Sequence, residues 1–396
     1  MGKTLYLFSA VYPFNLYGDN FLEAEMEYIF KSFDHIYIIP YRNETNTMKQ
    51  LPSNCTVLPV ILDGKYRFMI NGLFSVPGLK LLVNDFFKNK AYKNRKRLGV
   101  WVKAYIFFNN LYNRKDIRKI GDRLTSDDVC YFYWGKWGNM LSVLWKGKGH
   151  FVSRFHGEWD LWEESYDGYT PLRNQVASSL DFAAFISQKG ERYFQERYPQ
   201  CKTMFAPLGT KDMGISKKSE DGITRIFTCS NIIPLKRVPL IFEAINAYAS
   251  NHKVEWTHIG GGDAYEDFKQ KVNRRKCKNL TVTLLGKQDH SKVIEYYQNN
   301  TIDLFMNLST TEGVPVSIME AISCGVPIVA TDVGGVSEVV TNETGKLVNP
   351  NPSVSEIVEV MGYILNKNYN TRKFWQSHYF ADTNYGRFVN AMINLK

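Results

Sequence analysis

The chain has few cysteines, and no two of them are closely spaced. Its 396 residues include six cysteines and no C-x-x-C pair. Zinc sites and dithiol redox sites commonly use such pairs, so neither kind of site is expected. Scattered cysteines are typical of a reducing compartment, and the sequence therefore favours a cytoplasmic protein. The six are Cys55, Cys130, Cys201, Cys229, Cys277 and Cys324.

Long hydrophobic runs are also missing from the chain. No apolar stretch approaches the roughly 18 residues that a membrane-spanning helix needs. The opening run, residues 5–11, follows a single lysine and ends near Pro13. So short a run lacks the layout of a signal peptide, and it predicts a first buried strand instead. We find no long internal repeat and no low-complexity tract.

The positive charge of the chain is concentrated in one segment. The formal net charge is +10 at pH 7. Residues 64–120 alone contain fourteen lysines and arginines against two aspartates, so the rest of the chain is close to neutral. No DNA- or RNA-binding motif accompanies this basic segment, and a nucleic-acid partner is therefore not expected.

Apolar residues in the basic segment fall on helical faces. Two amphipathic helices packed on a sheet would explain these faces, with the charge on a solvated linker. A patch that binds the surface of an anionic membrane would explain both the faces and the charge, and we expect this second arrangement. The two faces comprise Leu79, Leu82, Val83, Phe86 and Phe87, and then Trp101, Tyr105, Phe108 and Tyr112.

Elsewhere, short apolar runs alternate with helical stretches. This alternation predicts an α/β fold with parallel sheets covered on both faces. A chain of 396 residues should form two such domains, joined near residues 206–210. The predicted strands are 5–11, 36–40, 57–62, 129–133, 150–155 and 182–187 in the first half, and 225–229, 254–259, 281–285, 304–308 and 327–330 in the second.

Residues 309–320 carry the most informative motif, Ser-Thr-Thr-Glu-Gly-Val-Pro-Val-Ser-Ile-Met-Glu. Glu312 and Glu320 are eight residues apart, where a loop is predicted to become a helix. Pro315 suits the first helical position, because its missing N–H would be unpaired there. The backbone N–H groups of Gly313, Val314 and Val316 would lie at this helix end. Such groups can bind an anion such as a diphosphate.

The motif and its continuation resemble family 4 of the retaining glycosyltransferases. The continuation reads Met-Glu-Ala at 319–321, Cys-Gly-Val-Pro-Ile-Val-Ala-Thr-Asp at 324–332 and Gly-Gly-Val-Ser-Glu at 334–338. The resemblance implies the GT-B fold, in which two Rossmann-like domains with parallel sheets face each other across a cleft. It implies an acceptor-binding domain over 1–207, a nucleotide-sugar-binding domain over 208–375, and a C-terminal helix, 376–396, that packs back on the first domain.

The resemblance assigns donor-binding roles to residues of the second domain. Glu312 would bind hydroxyls of the sugar and Glu320 those of the ribose, because a carboxylate can accept from both hydroxyls of a vicinal diol. Lys236 would neutralise the diphosphate, whereas Asn231 stands where the family has an arginine. The remaining donor-binding residues would be Arg237, Gly260, Gly286, Lys287, Gly313, Val314, Pro315 and Val316.

In the first domain the resemblance is carried by fewer residues. His156 ends a predicted strand and precedes a glycine, as in the family's His-Gly element. It would contact the donor sugar and the acceptor, and act in catalysis together with Glu312 and Lys236. Gly18 and Asp19 resemble a glycine loop near the acceptor, although Asp19 replaces the second glycine. No metal cofactor is expected, because side chains and a helix end supply the positive charge.

Together these features predict a retaining, metal-independent glycosyltransferase. It would move a hexose or N-acetylhexosamine from a nucleotide sugar, with UDP the favoured carrier, to a glycan or lipid-linked acceptor in surface polysaccharide synthesis. The alternatives are a GDP-sugar-dependent mannosyl-type transferase and a non-catalytic scaffold of the same fold that binds nucleotides or glycans. The protein would be cytoplasmic and peripheral on the inner face of the membrane.

Overall fold

The computed structural model describes residues 3–14, 19–62, 76–157 and 159–396. The chain divides into two compact units. The first runs to Pro207 and also includes Tyr385–Lys396, and the second is Leu208–Asn384. Each unit is a parallel sheet with helices packed against it, which confirms the predicted α/β class.

The described part of the first unit contains a seven-stranded sheet in the order β3-β2-β1-β4-β5-β6-β7. All of its strand pairs are parallel. Every residue of β4 and β5 is buried, as expected for strands covered on both faces. The strands are β1 Thr4–Ser9, β2 His35–Pro40, β3 Cys55–Val57, β4 Val129–Phe132, β5 His150–Phe155, β6 Phe182–Phe185 and β7 Thr203–Phe205.

Helices cover both faces of this first sheet. Successive side chains of a strand point to opposite faces, so Leu7 and Phe8 of β1 lie in two different core clusters. The helices are α1 Asn20–Ser32, α2 Val76–Lys88, α3 Arg95–Asn113, α4 Lys115–Arg123, α5 Leu141–Trp145, α6 Arg173–Ala177 and α7 Gln188–Arg197, with 3-10 turns at Ala91–Lys93, Gly138–Met140 and Glu163–Tyr166.

The second unit contains a six-stranded parallel sheet in the order β10-β9-β8-β11-β12-β13. Its core includes Trp256 and the apolar side of the helix that follows β8. The strands are β8 Thr224–Cys229, β9 Val254–Ile259, β10 Leu280–Leu284, β11 Leu304–Asn307, β12 Ile328–Thr331 and β13 Gly345–Val348. The helices are α8 Val238–Tyr248, α9 Tyr265–Arg275, α10 His290–Asn299, α11 Val316–Ser323, α12 Val354–Leu365 and α13 Thr371–His378, with 3-10 turns at Pro234–Lys236 and Val336–Glu338. The last helix, α14 Ala381–Ile393, begins in the second unit and ends in the first.

The C-terminal segment, predicted to begin at residue 376, contacts both units. Residues up to Asn384 group with the second unit. There Tyr379 donates a hydrogen bond to the Glu338 carbonyl, and Asn384 donates to the Leu208 carbonyl at 2.9 Å. From Tyr385 onward the chain packs on the first sheet, with Phe388 fully buried.

A buried ion pair lies beneath that C-terminal segment. Arg154 of β5 pairs with Glu25 of α1, and both side chains are fully buried. Tyr131 donates to Glu25 at 2.8 Å, and the Arg154 guanidinium donates to the Ala206 carbonyl at 2.6 Å. The same guanidinium lies 4.6 Å from the ring centre of Phe388. Removing one member of such a pair typically costs about 3–5 kcal/mol, because the other charge stays buried.

In the ranges that the structure describes, no helix is both long enough and apolar enough to span a bilayer.

Candidate functional site

The central feature of the second unit is the place where its strand order reverses. Strands β8 and β11 are neighbours in the sheet but lead away in opposite directions, since β9 lies beyond β8 and β12 beyond β11. Open α/β sheets bind ligands at the carboxyl ends of the strands at such a reversal point. Lys236 follows β8 and Glu312 follows β11, and the Lys236 Nζ donates to Glu312 Oε1 at 2.6 Å. The two predicted site residues therefore meet across the reversal point.

Several donors hold the Glu312 carboxylate in place. Asn307 donates its side-chain N–H to Oε1 at 3.2 Å, and the hydroxyl of Ser309 lies 2.6 Å from the same oxygen. Lys236 also binds Oε1. Among the described residues, no hydrogen bond reaches the other oxygen, Oε2. Glu312 is thus held rigidly while one of its oxygens can still accept from a ligand.

The loop that carries Glu312 is packed tightly against a second loop. Gly334 has a φ of +57°, and a Cβ there would lie 1.8 Å from the Glu312 carbonyl oxygen. Gly335 donates its N–H to the Gly313 carbonyl at 2.8 Å. Only glycine allows both the left-handed backbone and this close approach. The glycine pair therefore fixes the backbone of the Glu312 loop.

The helix after this loop starts one residue later than predicted. Pro315 is the N-cap, with an extended ψ of 121°, and α11 begins at Val316. The ψ of Pro315 is not helical because an N-cap residue precedes the first helical turn. The first N–H groups of a helix have no carbonyl partner one turn earlier in it. In α11 the third residue, Ile318, already donates to the Pro315 carbonyl at 3.2 Å. Val314, just before the helix, is buried.

Glu320 lies on α11 and binds a histidine that the sequence did not single out. His290 Nε2 is 2.6 Å from Glu320 Oε1, and this hydrogen bond raises the pKa of His290 above its ordinary value. The Glu320 side chain is 7 % exposed, whereas that of His290 is 64 % exposed. His290 is the first residue of α10, and a polar residue at an exposed helix start follows no pattern that would mark it as functional.

Three other predicted donor-binding loops adjoin one another at the carboxyl edge of the sheet. Gly260 donates its N–H to the Gly286 carbonyl at 2.8 Å, and a Cβ on Gly260 would lie 1.7 Å from the Ser230 carbonyl oxygen. The loops after β8, β9 and β10 are therefore joined backbone to backbone. Asn231 and Lys287, the other predicted residues of these loops, are exposed.

Arg237 does not join Lys236 at Glu312. Its guanidinium donates to the Pro350 carbonyl at 2.6 Å and to Asn351 Oδ1 at 2.9 Å. The left-handed backbone of Arg237, with a φ of 49°, directs the chain into α8 and separates the two cations. Lys236 is therefore the cation that faces the Glu312 carboxylate.

In the first unit, His156 lies directly after β5. Its side chain is 8 % exposed, and its Nδ1 is 3.6 Å from Asp160 Oδ2. Asp160 is fully buried and accepts the backbone N–H groups of His156 at 3.1 Å and Gly157 at 2.9 Å. Asp160 thus shapes the loop that carries the histidine.

Asp19, which is predicted to contact the acceptor, has a carboxylate that binds within its own unit. Its carboxylate accepts the N–H groups of Val11 at 2.6 Å and Tyr12 at 3.0 Å, and the indole N–H of Trp134 at 2.7 Å. With 4 % exposure, the Asp19 side chain holds the loop after β1. Gly18, its predicted partner, lies outside the described residues.

Within the described ranges, no group of three or more His, Cys, Asp or Glu side chains is arranged to hold a metal ion.

Residues 212–378 match the family model described as glycosyl transferases group 1. Two solved structures share the fold of this chain. The outer-core lipopolysaccharide galactosyltransferase WaaB superposes with a TM-score of 0.62 at 14 % identity, covering 99 % of both chains. Sucrose-phosphate synthase of Thermosynechococcus elongatus gives 0.66 at 16 % identity over 98 % of each chain. The chain has the GT-B fold.

Relatives by sequence match the GT-B chain only in part. The GPI3 subunit of the Saccharomyces cerevisiae (strain YJM789) phosphatidylinositol N-acetylglucosaminyltransferase is 31 % identical over 163 residues, which are 41 % of this chain and 35 % of the relative. The Escherichia coli O-antigen biosynthesis glycosyltransferase WbnH is 29 % identical over 141 residues, 34 % of this chain and 37 % of WbnH. The chain thus spans about a third of the length of these relatives.

Proposed function

We propose that this protein is a metal-independent, retaining glycosyltransferase that uses a nucleotide sugar, with UDP as the carrier. The observation that carries the proposal is the Lys236–Glu312 pair at the reversal point of the second sheet, beside the start of α11. The match of residues 212–378 to the glycosyl transferases group 1 model supports it. The sugar transferred would be a hexose or N-acetylhexosamine, and the acceptor a glycan or a lipid-linked glycan.

The departing diphosphate needs positive charge in this reaction. Lys236 supplies an ammonium, and the start of α11 supplies backbone N–H groups and the positive end of the helix dipole. Charges placed in advance where the transition state develops negative charge are usually the largest contribution to catalysis. When the diphosphate binds, the Lys236 ammonium exchanges the Glu312 carboxylate for phosphate oxygens.

The two carboxylates then bind the two sugars of the donor. Glu312 has one oxygen left for hydroxyls of the transferred sugar, and Glu320 faces the ribose. Names of similar proteins favour UDP as the carrier. HepE of Anabaena was solved with UDP-glucose, and it superposes with a TM-score of 0.63 at 14 % identity over 99 % of both chains. GtfA of Streptococcus gordonii, 22 % identical over 181 residues, is named for UDP-N-acetylglucosamine.

The proposed function is tested by incubating the protein with radiolabelled UDP- and GDP-sugars, with and without candidate glycan acceptors. Transfer or slow hydrolysis of a UDP-sugar is the expected result, and it should persist in excess EDTA. Transfer from GDP-mannose alone would show that the carrier nucleotide of the donor is GDP and not UDP. Nucleotide binding with no turnover of any sugar would indicate the non-catalytic scaffold, and loss of activity in EDTA that magnesium restores would contradict metal independence.

The His290–Glu320 contact predicts a pH dependence of nucleotide binding. Because its pKa is raised, His290 stays protonated and paired at and below the ordinary histidine value of about 6.5, and the pairing is lost as pH rises through the raised pKa. Ribose must compete with the protonated histidine for Glu320. UDP affinity should therefore increase between about pH 6 and about pH 8.5, as measured by isothermal titration calorimetry.

The control for this pH profile is His290→Asn. UDP itself loses a phosphate proton in the same pH range. In His290→Asn the affinity for UDP still changes through that deprotonation, but the histidine no longer contributes. The difference between the two profiles isolates His290. Parallel profiles would mean that ribose and His290 do not compete for the carboxylate.

We also propose that the basic segment binds an anionic membrane surface. Helix α2 and the 3-10 turn that follows it expose large aromatic residues, Phe87 at 64 % and Tyr92 at 54 %. Phe108, by contrast, is fully buried, and Trp101 donates its indole N–H to the Leu82 carbonyl, so part of each apolar face packs inside the unit. The exposed cations of residues 80–103 are Lys80, Lys88, Lys90, Lys93, Arg95, Lys96 and Lys103. Residues 64–75 of the segment lie outside the described ranges.

Replacing Lys88, Lys93, Arg95 and Lys96 with glutamine should weaken binding to anionic vesicles. Each basic residue near such a surface contributes about 1 kcal/mol, and salt screens the attraction. Vesicle co-sedimentation at low and high salt measures the effect. Arg97 is left intact because it pairs with Asp167.

A matched control removes four exposed lysines from the second unit, namely Lys253, Lys269, Lys276 and Lys278. It changes the net charge equally and should keep vesicle binding. Equal loss in both variants would mean that net charge alone drives binding, and no binding by the wild type at low salt would make the segment a solvated surface.

A further inference from the structure

A row of aromatic rings stands at the carboxyl edge of the first sheet. Trp134 comes two residues after β4, and His156 comes directly after the neighbouring strand β5. The Trp134 ring centre lies 4.3 Å from that of His156 on one side and 4.7 Å from that of Trp159 on the other. Tyr133 extends the row, with its ring 4.6 Å from His156.

The row lies where this sheet also reverses its strand order. Strands β1 and β4 are neighbours, with β2 beyond one and β5 beyond the other. The Trp134 indole spans this reversal point, since its N–H binds Asp19 after β1. The position is one at which α/β sheets bind ligands.

Neighbouring side chains fix the outer end of the row. The Lys136 ammonium donates to the Trp159 carbonyl at 2.8 Å and lies 3.6 Å from the ring centre of Tyr166. Lys136 is only 5 % exposed, and burial lowers its pKa to about 7. A lysine buried among aromatic rings orders the loop that carries Trp159, and the tryptophan is thereby held in position before any ligand arrives.

Core packing does not account for the row. Trp159 is 43 % exposed although its ring contacts that of Trp134. Both ring nitrogens of His156 are buried and make no hydrogen bond to any described residue, and the nearest carboxylate oxygen, that of Asp160, is 3.6 Å from Nδ1. An exposed large ring beside a buried imidazole with spare hydrogen-bonding groups is typical of a ligand-binding surface.

We propose that Trp134 and Trp159 form a binding subsite for a pyranose ring of the acceptor glycan, with His156 beside it to bind a hydroxyl. The proposal rests on the proposed function and names the acceptor class. A pyranose presents axial C–H groups on one face, and these positive edges suit the negative face of an indole. The hydroxyls around the pyranose ring can form hydrogen bonds with a polar group beside the tryptophans, namely the imidazole of His156. The diphosphate and base of the donor are assigned to the second unit, so they do not need this surface.

The first experiment detects binding without turnover. Protein labelled with 5-fluorotryptophan is titrated with methyl glycosides of glucose, galactose and N-acetylglucosamine, and its ¹⁹F spectrum is recorded. Trp134→Phe and Trp159→Phe assign the two resonances. At least one glycoside should shift both, whereas glycerol, which has hydroxyls but no ring face, should shift neither. If none of the glycosides moves either resonance, the subsite does not exist.

The second experiment uses whichever acceptor supports transfer. Trp159→Ala should raise the KM for that acceptor roughly tenfold while leaving the KM for the donor and the rate of donor hydrolysis within about twofold. Trp159→Phe should restore most of the loss. The control is Tyr363→Ala, which removes an aromatic side chain of the same 43 % exposure from the second unit.

The two experiments separate the proposals. Donor hydrolysis by the wild type together with an unchanged acceptor KM in Trp159→Ala would overturn the subsite and leave the proposed function standing. Shifted tryptophan resonances with no turnover of any nucleotide sugar would keep a sugar-binding surface on a protein that is not a transferase.

Discussion

Replacing Lys236 with alanine should lower the rate of sugar transfer by roughly 100- to 1000-fold, the loss typical for removal of one group that stabilises transition-state charge. Asn231 stands where a second cation would be expected. Lys236 therefore supplies a larger share of the positive charge that stabilises the leaving diphosphate than it would in a site with two cations. The loss should appear in kcat measured with saturating donor. It should also be larger than the loss of affinity for free UDP, because charge on the leaving diphosphate is greatest as the sugar bond breaks.

Arg237→Ala is the matched control for Lys236. It removes an adjacent cation, but one that binds the loop at Pro350 and Asn351. We expect a change in stability and less than about tenfold in rate. If both variants lose the same activity, the charge of the region matters and the position of Lys236 does not.

Glu312→Gln completes this set of variants. The amide keeps the shape of the side chain but cannot accept as strongly from Lys236 or from the sugar. Transfer should fall while UDP still binds nearly normally. The Lys236→Ala/Glu312→Gln double variant should lose much less than the product of the single losses, because the two residues contact each other. A wild-type rate in Glu312→Gln would remove this carboxylate from the sugar site.

The second large effect is expected for Glu320. Glu320→Ala should weaken UDP binding by about 1.5–3 kcal/mol, the contribution of hydrogen bonds to a charged acceptor. Calorimetry with free UDP measures the loss without any acceptor. Glu343→Ala, at an exposed position of the same unit, is the control. Unchanged affinity would place the ribose elsewhere and would leave His290 as the only partner that Glu320 needs.

Most strands could be predicted from the sequence because they are short apolar runs or, as in β9, alternate apolar with polar residues. The predicted ranges 150–155 and 254–259 match β5 and β9, and 36–40 and 225–229 are within one residue of β2 and β8. The run at 57–62 was wrong as a strand, since β3 ends at Val57. Pro59 cannot donate to a strand ladder, although Leu62 still binds the Tyr41 carbonyl at 2.7 Å. Strands β7 and β13 were missed because each has only three or four residues, not all of them buried.

The site was less predictable than the fold, because its contacts join residues distant in sequence. The motif gave Glu312 and Lys236 separately, and only the neighbouring positions of β8 and β11 bring them together. His290 reaches Glu320 because α10 starts beside α11, which no local pattern indicates. The resemblance assigns Asp19 to the acceptor, and nothing in the local sequence indicates the three hydrogen bonds that its carboxylate accepts within its own unit. The aromatic row escaped notice because Trp134 and Trp159 belong to different loops.

The return of the C-terminal segment to the first unit affects how the protein can be synthesised. Lys3 binds the carbonyl of Ile393, a residue 390 positions later in the chain. Phe388, Val389 and Met392 complete the core on one face of the first sheet. These residues leave the ribosome only after the whole second unit. Until then one face of the first sheet stays uncovered, because the residues that pack on it have not been synthesised. The second unit, which is continuous in sequence, can finish folding first. The two units therefore complete their folding in the opposite order to their synthesis. Chaperones that shield apolar surface should bind the nascent first unit until Tyr385–Lys396 emerge.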